Sequence, residues 1–380
     1  MREIIAKNLM WIVLAGGLLV ISFVGLLLLL RGKRTLGIDV GNAQIKIVEL
    51  RLGKKPHLLR YAIVPTPPST IENAVVKNPA ELKKALLTAL KIGKFTVRRG
   101  TTVLTGQNLL LRHIELPPMP QKELRSAIAW QFDQFFQMRL AEMLTDYQVI
   151  SEGLGKPSSV LLVAMQREPV MVLVDNLRQA GLLVEGVDIE PLAALRAIKL
   201  CRQADTERQT VAVVDCGAGT TNISIFSSGL LSSVRVLNIG GSDFTRAVMN
   251  YLGVDWSSAE AEKKMNGFRL DSDIATVVIP LRDKLFNEIN KTLSYYFAEN
   301  RGQDLVKVVI MGGGSSMVGL GSQLEKYLYE HQNSLAKHFS VELCNPLMVI
   351  SHKLPSDKVE LLGPTLSVAV GLAIREEHIQ

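Results

Sequence analysis

The sequence predicts an α/β protein of two lobes, with a small α/β unit inserted in the first lobe and one apolar helix ahead of both. Three observations lead there. Strand-like and helix-like segments alternate along most of the 380 residues, the pattern of an α/β fold. A strand, a tight turn and a second strand with Asp-x-Gly at the turn occurs twice, at Asp39-x-Gly41 and Asp215-x-Gly217, 176 positions apart. That weak repeat suggests two similar lobes facing each other, and at roughly 100–200 residues per domain the length allows them. Finally, residues 9–30 carry no charge.

The uncharged run, "LMWIVLAGGLLVISFVGLLLLL", spans 22 residues. As a helix it would be about 33 Å long, enough to cross a hydrocarbon core of about 30 Å. A buried soluble helix seldom stays apolar on every face for so long. A cleaved signal peptide would have a shorter apolar region and a small-residue cleavage site; this run leads directly into Arg31, Lys33 and Arg34. It reads as a retained transmembrane helix. The basic excess after it places residues 31–380 in the cytoplasm, with a single pass through the bacterial inner membrane. The net charge of +7 suits a body lying against an anionic leaflet.

Beyond the span, Leu36–Val40 and Ile45–Arg51 read as paired strands, and Leu58–Thr70 as a strand ending in a proline loop. Asn78 caps a helix that continues to Lys91, with Pro79 in its first turn and Leu82, Ala85, Leu86 and Leu90 on one face. A strand–helix–strand–strand–helix unit comes next over about Leu109–Gly181, with a helix from about Lys122 and a hairpin turn at "SEGLGKPS". A strand and a helix from about Pro191 lead to the second Asp-x-Gly hairpin, a third strand and a helix from about Asp243. Residues 257–267 form a short charged helix. Ile274–Asn300 is long and helical, with a start or kink at Pro280. "LVKVVIMGGGSSMVGLGSQLEKYL" is a strand, a glycine loop and a helix; "VELCNP" is a strand, and "GPTLSVAVGLAIRE" is the closing helix. The expected organisation is an N-terminal tail 1–8, the transmembrane helix 9–30, a basic linker 31–35, first lobe 36–108 and inserted unit 109–183. The first lobe resumes with a connecting helix over 184–209, then come the second lobe 210–340 and a return to the first lobe over 341–380.

The turns carry the candidate chemistry. Glycine accepts tight-turn backbone angles, which alone would explain Gly41 and Gly217. The neighbouring residues add more. Exposed backbone N–H groups at such turns make a donor cup for phosphate oxygens, and Thr220, Thr221 and Asn222 add side-chain donors. Asn42 and Gln44 are polar at the first tip, and Lys46 can neutralise phosphate charge. Asp39 and Asp215, one from each lobe, suit a hydrated Mg²⁺, a hard ion that takes oxygen ligands and keeps several waters. Gly312, Gly313 and Gly314 after a strand let a flat group approach the backbone, with Ser315 and Ser316 able to cap the next helix.

Together these segments resemble the actin-like ATPase superfamily, which includes actin, the heat-shock chaperone ATPase domain, sugar kinases and FtsA. "GIDVGNAQIKIVEL" is similar to its first phosphate motif, "VVDCGAGTTNISIF" to the second and "VIMGGGSSMVGLGSQL" to the adenosine motif. "IEPLAALRAI" and "LRDKLFNEINKTLSYYF" are similar to its connecting segments. Within the superfamily, "HIELPPMPQKELRSAIAWQFDQF" followed by "LTDYQVI" resembles the inserted subdomain of the PilM family of type IV pilus assembly. The resemblance covers about Leu36 to Arg375. It implies a two-lobed actin-like ATPase fold, ATP and Mg²⁺ as ligands, and Asp39 and Asp215 holding the metal through waters. It implies Gly41, Asn42, Lys46, Gly217, Gly219, Thr220, Thr221 and Asn222 around the phosphates, and Gly312, Gly313, Gly314 and Ser315 beside the adenosine. Glu260 and Lys263, in "AEAEKK", stand where relatives contact ribose or adenine; a solvated charged helix would read the same. Glu190 stands where relatives place a water-orienting acid or amide, although the macrodipole also favours an acid at a helix start. Relatives often carry Ser or Thr at the Asn42 position.

The implied role is a membrane-anchored platform of a type IV pilus or pilus-like inner-membrane complex. Its nucleotide state would control binding of a PilN-type bitopic protein's cytoplasmic tail, beside other platform proteins. Whether it hydrolyses ATP is left open, as is self-association. The alternatives are an FtsA-like filament-forming ATPase, which would normally attach by a C-terminal amphipathic helix, and a type II secretion L-type platform, which carries its span after the actin-like part. A sugar kinase would need an acceptor-activating base in a recognisable loop, and none is legible. Nucleic acid is not expected as a partner, since no aromatic-rich basic stripe, zinc pattern or helix-turn-helix pattern occurs. Cys201, Cys216 and Cys344 form no CxxC pair, so they read as reduced thiols outside any disulfide framework or zinc site.

Overall fold

The computed structural model describes residues 32–375 apart from 73–74, 105–108, 137–139, 152–156, 203–205, 207, 301–303 and 332–338. The membrane span expected at 9–30 lies outside the described residues. Among the described residues, no helix is long and apolar enough to cross a membrane.

Two five-stranded sheets repeat one plan. In the first, β1 (Arg34–Val40), β2 (Gln44–Arg51) and β3 (His57–Pro65) form an antiparallel meander. β6 (Arg99–Leu104) and β10 (Leu183–Ile189) then add parallel to β1, giving the order β10-β6-β1-β2-β3. In the second, β11 (Thr210–Cys216), β12 (Thr221–Ser227) and β13 (Leu230–Leu237) are the meander. β14 (Leu305–Met311) and β15 (Ser340–Leu343) extend it in parallel, giving β13-β12-β11-β14-β15. β11 is buried throughout and β1 is buried beyond Arg34, which explains their near-continuous apolar runs: strands covered on both faces need no alternation. β4 (Ile71–Glu72) and β5 (Val75–Val76) make a minor hairpin.

The inserted unit builds a third sheet from β7 (Leu110–Leu116), β8 (Met143–Ser151) and β9 (Ser158–Gln166), in the order β7-β9-β8. Its core joins Ile114, Leu116, Val160 and Leu162 to Leu124, Ile128 and Phe132 of the helix Gln121–Phe136. The helix after β9, Arg167–Gln179, packs elsewhere. Its Val170, Leu173 and Leu177 join Leu82, Leu86 and Leu90 of the helix Pro79–Gly93 in the first lobe's core. Asn78 does cap that latter helix, its side chain accepting from the Glu81 N–H. In the second lobe, Phe244, Phe268 and Phe286 pack ring against ring at centroid spacings of 5.5 and 5.9 Å. They seal the helices Gly241–Leu252, Trp256–Asn266 and Ala275–Glu299 over the sheet. Pro280 lies inside the last of these, early enough that only one carbonyl near its start loses a backbone donor.

Two helices occupy the ground between the sheets. We label them αA (Glu190–Cys201) and αB (Ser356–Ala373). Ala193, Ala197, Val368 and Leu372 from these helices share one cluster with Val103 of β6 and Val211, Val213, Val309 and Met311 of the second sheet. αA and αB approach so closely that a Cβ on Gly371 would lie 1.9 Å from the Ala193 carbonyl oxygen. The guanidinium of Arg196 donates to the Gly371 carbonyl at 2.8 Å and pairs with Asp188, fixing the same contact from the side. Gly371→Val is therefore expected to lower folding stability by about 1–3 kcal/mol, the usual range for overpacking; the shift of the urea midpoint at unchanged slope measures it.

Candidate functional site

The two hairpins are built alike down to single bonds. The β1–β2 register sets Asp39 opposite Lys46, and the β11–β12 register sets Asp215 opposite Asn222. In each turn a glycine N–H closes on the carbonyl three residues later: Gly41 to Gln44 at 3.0 Å, Gly217 to Thr220 at 2.9 Å. The tips meet, since a Cβ on Gly219 would lie 2.8 Å from the Asn42 amide nitrogen. Each turn is braced from behind. Thr66, just past β3, donates its hydroxyl to the Gly41 carbonyl at 2.7 Å. Behind the second turn, the Gly241 and Ser242 N–H groups donate to the Gly217 and Ala218 carbonyls at 2.9 and 2.8 Å.

Between the hairpins lies a cleft of about 880 Å³. The third wall is the turn after β14. Gly312 has φ +88°, and a Cβ there would lie 2.2 Å from Asp215 Oδ1, so only glycine fits beside that carboxylate. Of the residues expected at the site, all but two line this cleft. Thr221 points into the protein, 1 % exposed, its hydroxyl donating to the Ile239 carbonyl at 2.7 Å. Ser315 is also buried and closes its own turn on the Gly312 carbonyl at 2.6 Å. Ser316 lines the cleft in its place, and Tyr61, Ser242, Trp256 and Thr365 line it too. Sequence reasoning passed over these four. The pair Gly240–Gly241 ahead of a helix was a usable signal for Ser242; the others carried none.

Lys263 and Glu260 both border the cleft, but Lys263 is largely engaged. The residue is 3 % exposed, and its ammonium donates to Glu260 at 2.6 Å, to the Thr245 hydroxyl at 2.9 Å and to the Gly241 carbonyl at 3.1 Å. Burial lowers its pKa against the pull of Glu260. The pair thus ties the helix Trp256–Asn266 to the start of the helix Gly241–Leu252.

The electrostatics centre on Asp39, Glu190 and Asp215. Lys46 donates to Asp39 Oδ2 at 2.9 Å. Burial alone would lower its pKa; Asp39, with Asp215 and Glu190 behind it, raises it above the ordinary lysine value. Burial, with Asp215 next in weight, pushes Glu190 well above the carboxylate range, although Asn222 donates to its Oε1 at 2.6 Å. Burial pushes Asp215 up to about 6, Lys46 opposing and Asp39 adding to the rise. Glu190 and Asp215 thus each raise the cost of a second charge beside them, and both carboxyls keep their protons to higher pH than they would in water. The Oδ1 of Asn222 is buried with no partner. Among the described residues, no three His, Cys, Asp or Glu side chains converge to hold a metal directly. Two crowded carboxylates and an orphaned acceptor are instead the oxygen donors that a hydrated divalent cation would take.

Comparison with known proteins accords with this geometry. The solved structure described as a PilM–PilN type IV pilus biogenesis complex matches with a TM-score of 0.77 and 28 % identity, over 90 % of this chain and 98 % of that one. MreB5 of Spiroplasma citri bound to ADP matches with a TM-score of 0.51 and 12 % identity, over 89 % and 94 % of the two chains, a likeness of fold alone. The cell division protein FtsA of Bacillus subtilis is 34 % identical over 89 residues, 23 % of this chain and 20 % of that protein. FtsA of Escherichia coli K12 is 23 % identical over 227 residues, 50 % and 52 % of the two. The chain thus spans about half or less of the curated relatives it matches. The family described as type IV pilus assembly protein PilM matches residues 37–377, nearly everything after the apolar segment, and the chain belongs to that family, with its actin-like ATPase fold.

Proposed function

We propose that the cleft binds Mg·ATP and that the bound nucleotide holds the two lobes closed. The observation that carries this reading is the facing of twinned Asp-x-Gly hairpins across one cleft, with the carboxyl groups of Asp39, Glu190 and Asp215 crowded together inside it. Magnesium would offset that charge and bridge to phosphate oxygens. Gly41, Asn42, Lys46, Gly217, Gly219, Thr220 and Asn222 take the phosphates. Gly312, Gly313, Gly314, Glu260 and Lys263 border the nucleoside. Glu190 is assigned the role of orienting water, which it can fill as an acceptor only after losing its proton.

The lobe state in turn sets the grip on a partner. The solved relative is a complex with PilN, and we assign a PilN-type cytoplasmic segment as the partner of this chain, docking beside the inserted unit. Residues 9–30 are assigned as the anchor that holds the body under the inner membrane, with other platform proteins of the pilus assembly complex as neighbours. An FtsA-like filament role is the second reading; the matches to FtsA favour it, and sedimentation of Mg·ATP-loaded polymer would establish it.

Titration calorimetry of the full chain in detergent is expected to give Mg·ATP binding that weakens at least tenfold in Asp215→Asn. Equal binding by both proteins would defeat the assignment. The same variant tests the charge excess without nucleotide. Asp215 has a folded-state pKa raised from 3.8 to about 6, so the native state binds more protons than the unfolded chain between those values. The Asp215 contribution to wild-type stability therefore falls as pH rises through that window, by on the order of 1 kcal/mol per pH unit, and the deficit persists above it. Asp215→Asn should unfold at a higher temperature than wild type at neutral pH, with the advantage vanishing toward pH 3.8. For the anchor, removing residues 1–31 should move the protein from the membrane pellet to the supernatant with Mg·ATP affinity unchanged.

A further inference from the structure

Cys201 and Cys344 are separated by 143 positions, yet their sulfurs lie 3.8 Å apart. Cys201 ends αA; Cys344 directly succeeds β15, its N–H donating to the Ile310 carbonyl at 2.8 Å. We propose that Cys201 and Cys344 form a reversible, peroxide-sensitive dithiol site whose disulfide staples αA to the second sheet. The site stands independently of whether the cleft takes nucleotide.

Three features support it. The sulfurs, already 3.8 Å apart, need to approach by only about 1.8 Å to reach the bonded distance. Exposure is divided between the two: Cys201 is partly exposed, whereas Cys344 is fully buried among Ile198, Val309 and Leu372. An oxidant therefore meets Cys201 first. Their acidities are divided in the same sense. The contact with the Cys344 thiol, helped by the Asn345 N–H, lowers the Cys201 pKa despite burial; Cys344 is raised by the same contact and by burial. That is the pattern of an attacking thiolate beside a resolving thiol. Cys216 makes the contrast, pushed up to about 12 by burial and by Asp215 beside it.

The chemistry balances with a hydroperoxide as the oxidant. The Cys201 thiolate attacks the peroxide oxygen, the O–O bond breaks, and a sulfenic acid and hydroxide form from hydrogen peroxide; the hydroxide takes up the proton the Cys201 thiol gave up, giving one water. Cys344 sulfur then attacks the Cys201 sulfur. The S–S bond forms, the S–O bond breaks, and the departing hydroxide takes the Cys344 proton as a second water. The two sulfurs lose two electrons and the peroxide gains them. A thiol reductant reverses the step.

The full chain in detergent is treated with hydrogen peroxide, alkylated at remaining thiols, digested and read by mass spectrometry. The expected result is a Cys201–Cys344 cross-linked peptide with Cys216 alkylated, lost on dithiothreitol treatment and absent from Cys201→Ser. Cys344→Ser should stall Cys201 as a sulfenic acid that a dimedone probe captures. Because Cys344 is buried and that variant could misfold, oxidised and reduced wild type are also compared for unfolding temperature, which the staple should raise. Recovery of both thiols alkylated after peroxide, a cross-link between two chains, or a cross-link through Cys216 would overturn the proposal.

Discussion

Asp39, Glu190 and Asp215 act on one another inside a buried cleft, with Lys46 as the cation that feels all three. The rest of the site is shaped by the need to hold that unfavourable arrangement still. Like charges out of water repel strongly, so the side chains cannot be left on mobile loops. Each aspartate lies near the end of a strand buried on both faces. Each turn is closed by its own glycine and braced by neighbouring groups. Gly312 lies close to Asp215 on the third side, where any larger residue would collide with the carboxylate. The carboxylates are kept close by the folding energy of two complete sheets.

Much of this arrangement was readable from spacing. In both hairpins the cross-strand partner lies seven residues after the aspartate, and the repeated Asp-x-Gly marks the turns without reference to any relative. The third wall was readable too, because three glycines directly after an apolar run signal a backbone that something must approach closely. The misplacement of Thr221 shows where pattern alone is ambiguous. Side chains alternate faces along a strand, and Asn222, paired with Asp215, occupies the cleft face; Thr221 must then face inward, and it closes on Ile239. Only the register separates these neighbours. Ser315 and Ser316 make the same kind of bond, each to the carbonyl three residues back, and only the path of the turn decides which of them lines the cleft. Trp256 and Thr365 reach the cleft through tertiary packing of distant segments, and the meeting of Cys201 with Cys344 depends on where β15 joins its sheet.

The inserted unit has a different logic. Its sheet and one helix have a separate core, so that part can vary without disturbing the cleft. The helix Arg167–Gln179 is the exception, since Val170, Leu173 and Leu177 are needed to fill the first lobe. A contact runs the other way as well: His113 on β7 lies 3.1 Å from the Leu231 carbonyl on β13. The unit thus touches the second lobe while its closing helix belongs to the first, a position that feels any change in the angle between them.

αA joins the cleft to the edge of the second sheet. Its twelve residues form a rigid rod of about 18 Å, with Glu190 at the cleft end and Cys201 at the far end beside the second sheet. Its close contact with αB at Gly371 means that a tilt of αA would press directly on αB. A ligand can bias such a shift only through contacts that differ between open and closed forms. Groups bridging Asp39 and Asp215 would have that property, because one carboxylate belongs to each sheet and both can be engaged only when the sheets are near. A covalent tie at Cys201 would act on the same rod from its other end, with no contact in the cleft at all.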